Sequence, residues 1–317
     1  MGKGAVRFGI TFLHHEWAAA TPVARRRLLD EVASAGVDHL VVADHVSFRG
    51  GGGSDGLVSA ASIVAAHDTL GVDVAVYLLA LRHPVPVARQ LATLAELAPG
   101  RLALGVGLGG EDRAEMEACG VDPRTRGRRT DEALGILRRL LAGEAVTFAG
   151  EFFELSDVRV LPTPDPPIPL VVGGRSAAAL RRAGRLGDGW LGIWVSPERF
   201  AQAVAEVGEH AAAADRGTVR WQHGMSVWCG LGASRVQARG HLSAAMEELY
   251  GAPFDAFERW CPCGTPEEVA GFVAPYLEAG CSTLNLVPQA GDPAAAVAGV
   301  AEVLSLLRLP AAATPST

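Results

Sequence analysis

The sequence predicts an α/β fold, a (β/α)8 TIM barrel with insertions at its carboxyl-terminal face. Three observations carry this. Apolar runs of strand length alternate with amphipathic helical stretches from end to end, close to eight such units can be counted, and no linker, low-complexity run or internal repeat marks off a second domain. With 317 residues, 49% of them hydrophobic, the chain can bury one large core, so residues 1–317 read as a single domain with a frayed tail at 310–317.

The strands read at 6–12, 39–44, 72–78, 102–107, 169–172, 190–195, 223–231 and 283–287. Helices fill the intervals, and several announce their starts. Thr21-Pro22 and Ser196-Pro197 each pair a capping residue with a proline at the first turn, and Thr265-Pro266-Glu267-Glu268 adds the Glu of a capping box. Arg82-His83-Pro84 introduces another helix, and RTRGRRTDEALGILRRLL, 124–141, is a clear amphipathic one. Two stretches break the rhythm: 143–166, with strand-like VTF and EFFEL around Ala149-Gly150, and 248–263, ELYGAPFDAFERWCPC. Insertions of this kind on a barrel usually cover the active face.

The thirty residues from 161 to 190 are the richest in chemistry. Prolines 162, 164, 166, 167 and 169 hold the chain extended into the strand Leu170-Val171-Val172. Gly173 and Gly174 then open a turn in which backbone can approach a ligand closely, and Ser176 caps a helix beginning at Ala177. A helix start with free N–H groups and a positive dipole end suits an anion, most naturally phosphate; the alternative is an ordinary βα turn with a capping serine.

Asp44-His45 closes the second strand at the rim where barrel enzymes keep their chemistry, making His45 the leading acid/base candidate, with Asp44 fixing its tautomer or holding the loop. Gly105, Gly107 and Gly110 satisfy a dinucleotide-binding pattern formally, but a helix stands where the second strand with its ribose-binding acid would be needed. Gly107 and Gly109 are better read as letting a ligand ring lie against backbone at the top of the fourth strand. Asp73 interrupts an apolar strand as a solvent-facing rim residue, and Trp190 reads as core.

His14, His15 and Glu16 raise a metal centre, but adjacent histidines on a strand point to opposite faces, and Cys261-Pro262-Cys263 lacks a second ligand pair; no metal is expected. Five cysteines without framework spacing fit reduced, cytoplasmic thiols. A formal charge of −7 with scattered arginines offers no nucleic-acid or membrane surface, and no apolar run approaches a membrane span. A small molecule is the expected ligand.

In order and spacing, AGVDHLVVADH, LRHPVPVARQLATLAELAPGRLALGVGLG, RTRGRRTDEALGILRRLL, FAGEFFEL, LPTPDPPIPLVVGGRS and LGDGW resemble the luciferase-like monooxygenase family over nearly the whole chain. The compact length and the LRHPV…GRLALGVGLG stretch look most like its members that use coenzyme F420, a deazaflavin hydride carrier, with FMN as the alternative. The resemblance implies hydride exchange with a small organic substrate. It places His45 near the reactive ring face, and the phosphate at Gly173 and Gly174 with Arg175 and Ser176 beside them. It also places a bulge with a non-proline cis peptide behind the ring, matching Asp73 and Val74. A homodimer and a flavin or F420 reductase supplying reduced cofactor are further implications. An FMN-dependent monooxygenase using O2, and a non-catalytic barrel binding a phosphorylated ligand, stand as alternatives. The chain departs from a sugar-phosphate dehydrogenase branch: Arg49 stands where that branch has an aromatic and Gly110 where it has a carboxylate, with Glu111 one residue on.

Overall fold

The computed structural model describes residues 6–13, 17, 20–110 and 112–308. From the amino end the elements are β1 (Arg7–Thr11), α1 (Pro22–Ser34), β2 (His39–Val42), a hairpin of β3 (His45–Phe48) and β4 (Gly52–Ser54), α2 (Gly56–Ala66), β5 (Gly71–Leu78), α3 (Pro84–Leu97), β6 (Leu102–Gly107), the short α4 (Arg113–Ala118) and α5 (Arg126–Leu141). There follow a hairpin of β7 (Val146–Ala149) and β8 (Glu154–Val158), then β9 (Leu170–Gly173), α6 (Ala177–Leu186), β10 (Gly189–Ile193), α7 (Pro197–Ala212), β11 (Gly224–Leu231), α8 (Arg235–Tyr250), β12 (Cys263–Gly264), α9 (Pro266–Glu278), β13 (Thr283–Gln289) and α10 (Pro293–Arg308).

Parallel pairing runs β10-β9-β6-β5-β2-β1-β13-β11, and β10 pairs with β11 to close the ring, giving the expected barrel. Strand residues alternate between the helix layer and the interior. Phe8, Ile10, Val72, Leu104, Val172 and Leu284 face out into one continuous core. Helix faces complete it at helical spacing: Thr130, Ala133, Leu134, Leu137 and Leu140 are the buried side of α5. Truncating a sealed leucine such as Leu137 to alanine removes about 2–5 kcal/mol of stability.

The capping signals act as read. Thr21, Ser176, Ser196 and Thr265 each accept a backbone N–H at the start of their helices, and Thr265 with Glu268 forms a full capping box. His83 caps α3 by accepting from the N–H of Val85.

The two insertions expected at the carboxyl face part company. Residues 251–263 join α8, the β3–β4 hairpin and α4 in crowning the mouth, and β12 adds to the upper end of β11. The β7–β8 hairpin leaves the carboxyl end of α5 and therefore starts on the amino side, then climbs the outer flank. There Glu132 accepts from Glu151 and Phe152 N–H, and the Phe153 ring meets His83 edge-on at 5.3 Å. Its apolar side chains bury against helices, not over the mouth. The glycine-rich stretch after His45 is an ordered hairpin in register His45↔Ser54 and Phe48↔Gly52. The residues of the expected frayed tail lie outside the described set.

Candidate active site

At the carboxyl end, β5 bulges inward and glycines on β6 and β9 make room for it. Between Val74 and Tyr77 the β5–β6 register slips, so that Val74↔Leu104 is followed by Tyr77↔Val106, and the Ala75–Val76 peptide is cis. Val76 faces the interior against Gly105, Gly107 and Gly173. A Cβ at Gly173 would come within 2.8 Å of Val76 Cγ1, and one at Gly107 would run into Cγ2 of the same side chain. The three glycines make room for the bulged residue, so that Val76 is the surface β5 offers a planar ring at the mouth.

Beside it the β9–α6 turn presents a helix start. Gly174, at φ +119°, takes a conformation that L side chains rarely adopt, and its carbonyl accepts the Trp190 Nε1–H at 2.6 Å. Trp190 itself is core, sealed against Phe200. Ser176 Oγ accepts from Ala179 N–H, whereas the N–H groups of Ala177 and Ala178 have no acceptor among the described residues. Gly174, Arg175 and Ser176 are all exposed. Exposed N–H groups at a positive helix end, with a guanidinium adjacent, can hold a phosphate.

His45 opens the β3–β4 hairpin. Its Nδ1 lies 3.1 and 3.2 Å from the two oxygens of Glu115, a residue of α4 that is 2% exposed. The same carboxylate accepts from Val46 N–H at 2.7 Å and Ser47 N–H at 3.2 Å. An ionised carboxylate only accepts, so Nδ1 carries the proton and Nε2 is left to exchange protons with a ligand. Phe48 packs on the ring at 4.2 Å, and Asp112 accepts from Arg49 N–H at 2.7 Å, pinning the hairpin to the loop after β6.

Of the two tasks read for Asp44, fixing the His45 tautomer or holding the loop, its contacts are those of the second. Its two oxygens accept Arg82 Nη1 at 2.7 Å and Nη2 at 2.8 Å, and also the N–H groups of Leu78 and Gly56, both at 2.9 Å. Burial pushes its carboxyl up, with Arg82 and the two N–H donors opposing the rise. Burial likewise penalises the Arg82 charge, but Asp44 and Tyr77 more than offset this, holding its pKa above the ordinary value. Asp44 therefore anchors the hairpin base, and Glu115 sets the histidine tautomer.

Asp73 also sits elsewhere than read. It lies two residues before the cis bond, inside the amino end of the barrel, with Arg7 Nη2 at 3.2 Å and His39 Nε2 at 3.2 Å; Val74 faces outward beside Gly56. One polar residue in an apolar strand cannot reveal whether it points to solvent or to a buried partner, and neither Arg7 nor His39 is near it in sequence. Gly109, at φ +63°, turns the chain over Leu78 beyond the end of β6. His14, His15, Glu16 and Glu111 lie outside the described residues. No cluster among the described residues could hold a metal ion, and burial raises the Cys261 thiol to about 12.

The sequence reading missed Glu115, Val76 and Arg82. Only Arg82 was singled out, and only as a helix start; Glu115 carried the one local signal available, an acidic residue on a short helix just past the fourth-strand glycines.

The family profile described as luciferase-like monooxygenase matches residues 6–283. A protein of Mycobacterium tuberculosis is 40% identical over 129 residues, 41% of this chain and 44% of that protein, so the matched part spans less than half of that relative's length. An F420-dependent glucose-6-phosphate dehydrogenase of Amycolatopsis mediterranei is 28% identical over 84% of this chain and 90% of its own. Among solved structures, an F420-dependent secondary alcohol dehydrogenase in complex with an F420-acetone adduct superposes with a TM-score of 0.81 at 20% identity, covering 96% of this chain and 100% of that one.

Proposed function

The chain belongs to the luciferase-like monooxygenase family, and from that premise we propose that it is an F420-dependent oxidoreductase acting on a small organic substrate. The observation that carries the reading is that a glycine-lined patch around Val76, an open helix start at Gly174–Ser176 and a tautomer-fixed His45 share one end of the barrel. These residues fit a flat ring carrying a phosphorylated tail. Val76, seated on Gly105, Gly107 and Gly173, would lie against the ring. Gly174, Arg175 and Ser176, with the first N–H groups of α6, would hold the phosphate, and the loop at Gly109 borders the same patch. Bound F420 supplies a hydride at carbon. His45 Nε2 supplies or removes the accompanying proton, Glu115 holds the ring by Nδ1, and the β3–β4 hairpin limits access of water. Proton transfer from a positioned group of this kind contributes about 10²–10⁴-fold.

The named activities of the relatives support this reading as similarities, F420 being common to two of them. The whole of 1–317 is taken as one domain. A cytoplasmic location is supported by five free cysteines, and a separate reductase would supply reduced cofactor. No helix among the described residues is long and apolar enough to cross a membrane.

Titration with oxidised F420 and, separately, FMN, followed by fluorescence, tests the assignment. Tight binding of F420 that Ser176→Ala weakens and His45→Ala leaves unchanged is the expected result. Preference for FMN moves the protein to the oxygen-using branch, and binding of neither removes the cofactor assignment.

A further inference from the structure

We propose that the substrate compartment takes an uncharged, planar, apolar molecule bearing an acceptor oxygen, an aryl or conjugated ketone being the simplest case, and that Trp194 is the residue that reads that oxygen. The inference rests on the F420 reading for the place of the cofactor, and names the chemistry of what lies beside it.

Trp194 follows β10 directly at the carboxyl rim, and its backbone is left-handed at φ +53°, a conformation rare for so bulky a residue and concentrated at ligand sites. Its ring stands in an aromatic wall. Tyr250 meets it edge-on at 5.3 Å and Phe257 at 5.0 Å, and Tyr250 in turn packs on Trp228 at 5.8 Å. Trp228 and Val287, from β11 and β13, belong to the same apolar cluster, so the wall caps the barrel mouth.

Within that wall one polar atom stands out. Trp194 Nε1 is buried and has no acceptor among the described residues, unlike Trp190, whose Nε1 reaches the Gly174 carbonyl. A sealed donor without a partner is costly, and a ligand acceptor removes the cost.

Charge around the mouth points the same way. Arg82 is held by Asp44 and Asp55, Arg239 by Asp255 and Glu258, and Arg49 donates to the Leu249 carbonyl. Arg175 lies over the Trp194 ring at 5.6 Å, on the side of the proposed cofactor phosphate. The sole lysine of the chain, Lys3, lies outside the described residues. Among the described residues, Arg82 and Arg239 are thus spent on carboxylates, whereas a neutral aromatic would find stacking surfaces and one donor in this wall.

The test uses full-length protein with F420 bound and its six tryptophans labelled with 15N at the indole nitrogen. It is titrated with acetophenone, with ethylbenzene, which has similar shape without the oxygen, and with glucose 6-phosphate. Acetophenone is expected to bind about tenfold more tightly than ethylbenzene and to move one indole N–H signal downfield, while glucose 6-phosphate moves none. Trp194→Phe should erase both that signal and the tenfold preference while keeping ethylbenzene affinity. Glucose 6-phosphate binding as tightly as acetophenone, or acetophenone binding without moving an indole signal, overturns the proposal, and the wild-type arm decides this even if the variant does not fold. F420 affinity is measured first. If F420 does not bind, the cofactor reading fails by itself, and the same titrations on cofactor-free protein still judge the wall.

Discussion

Each end of the barrel places a histidine against a carboxylate, and the two pairs are built for opposite ends. At the amino end His39 is fully sealed, its Nε2 donating to Asn285 Oδ1 at 2.8 Å and lying 3.2 Å from Asp73, while Nδ1 has no partner. Burial lowers its pKa against the pull of Asp73, so the ring is neutral and works as a spacer between strands. At the carboxyl end the side chain of His45 is 29% exposed, and Glu115 grips it by Nδ1 alone. Polar pairing inside a barrel therefore implies no chemistry by itself; what distinguishes a working pair is a second nitrogen with access to a ligand.

The sharpest way to break this comparison is to remove each imidazole in turn. His45→Ala should lower turnover by about 10²–10⁴-fold with F420 affinity unchanged, whereas His39→Ala should lower the unfolding temperature and leave the activity of the folded protein intact. Equal losses of activity would mean that the two pairs do not differ in kind.

A second histidine sharpens the picture of the amino end. His223 accepts the Trp190 N–H at its Nδ1 and stacks on Trp221, and burial drops its pKa from 6.5 to about 4. Its neutral form is thus favoured in the folded state, so the unfolded chain takes up the proton first on acidification. Stability should be full above about pH 6.5 and fall by about 3 kcal/mol on the way to pH 4. Urea unfolding across that range measures it, and His223→Gln should flatten the slope. If the slope survives that substitution, the acid sensitivity belongs to other groups.

At the mouth, Gly107→Ala places a methyl group against Val76 and should cost about 1–3 kcal/mol in stability or cofactor affinity. Urea unfolding beside F420 titration separates the two, and an unchanged protein would show that the patch yields easily. The smallest effect expected is that of Glu115→Gln: about tenfold in kcat, with a displaced pH profile and little change in KM, since the amide still accepts Val46 N–H but no longer fixes the tautomer. A change in KM alone would reduce Glu115 to a support for the hairpin.

The barrel was legible because strand and helix periods are local. The fifth-strand run PLVV and Ser176 before Ala177 needed nothing from elsewhere in the chain, and β9 and α6 form there. His45 was legible as a rim residue for the same reason. Its partner was not, because Glu115 is 70 positions away and only the side-by-side pairing of β2, β5 and β6 brings α4 over the β3–β4 hairpin. Asp44, adjacent in sequence, was read as that partner or as a holder of the loop, and only the second agrees with its contacts, because neighbours on an extended chain point apart. The cis bond matched by resemblance to Asp73 and Val74 lies two residues on, at Ala75–Val76, and strand periodicity cannot locate a one-residue bulge inside an apolar run.

Asp44 bears finally on how such a protein can diversify. Of the four bonds that fix the base of the β3–β4 hairpin, two come from main-chain N–H groups, at Gly56 and Leu78, and two from Arg82. Main-chain donors do not depend on the side chain they carry, although at Gly56 a Cβ would meet Val74 Cγ1 at 2.7 Å. Hairpin residues other than His45, Gly53 and Asp55 can therefore be exchanged while the anchor persists, and lineages sharing this barrel are free to remodel much of the rim without reinventing what it stands on.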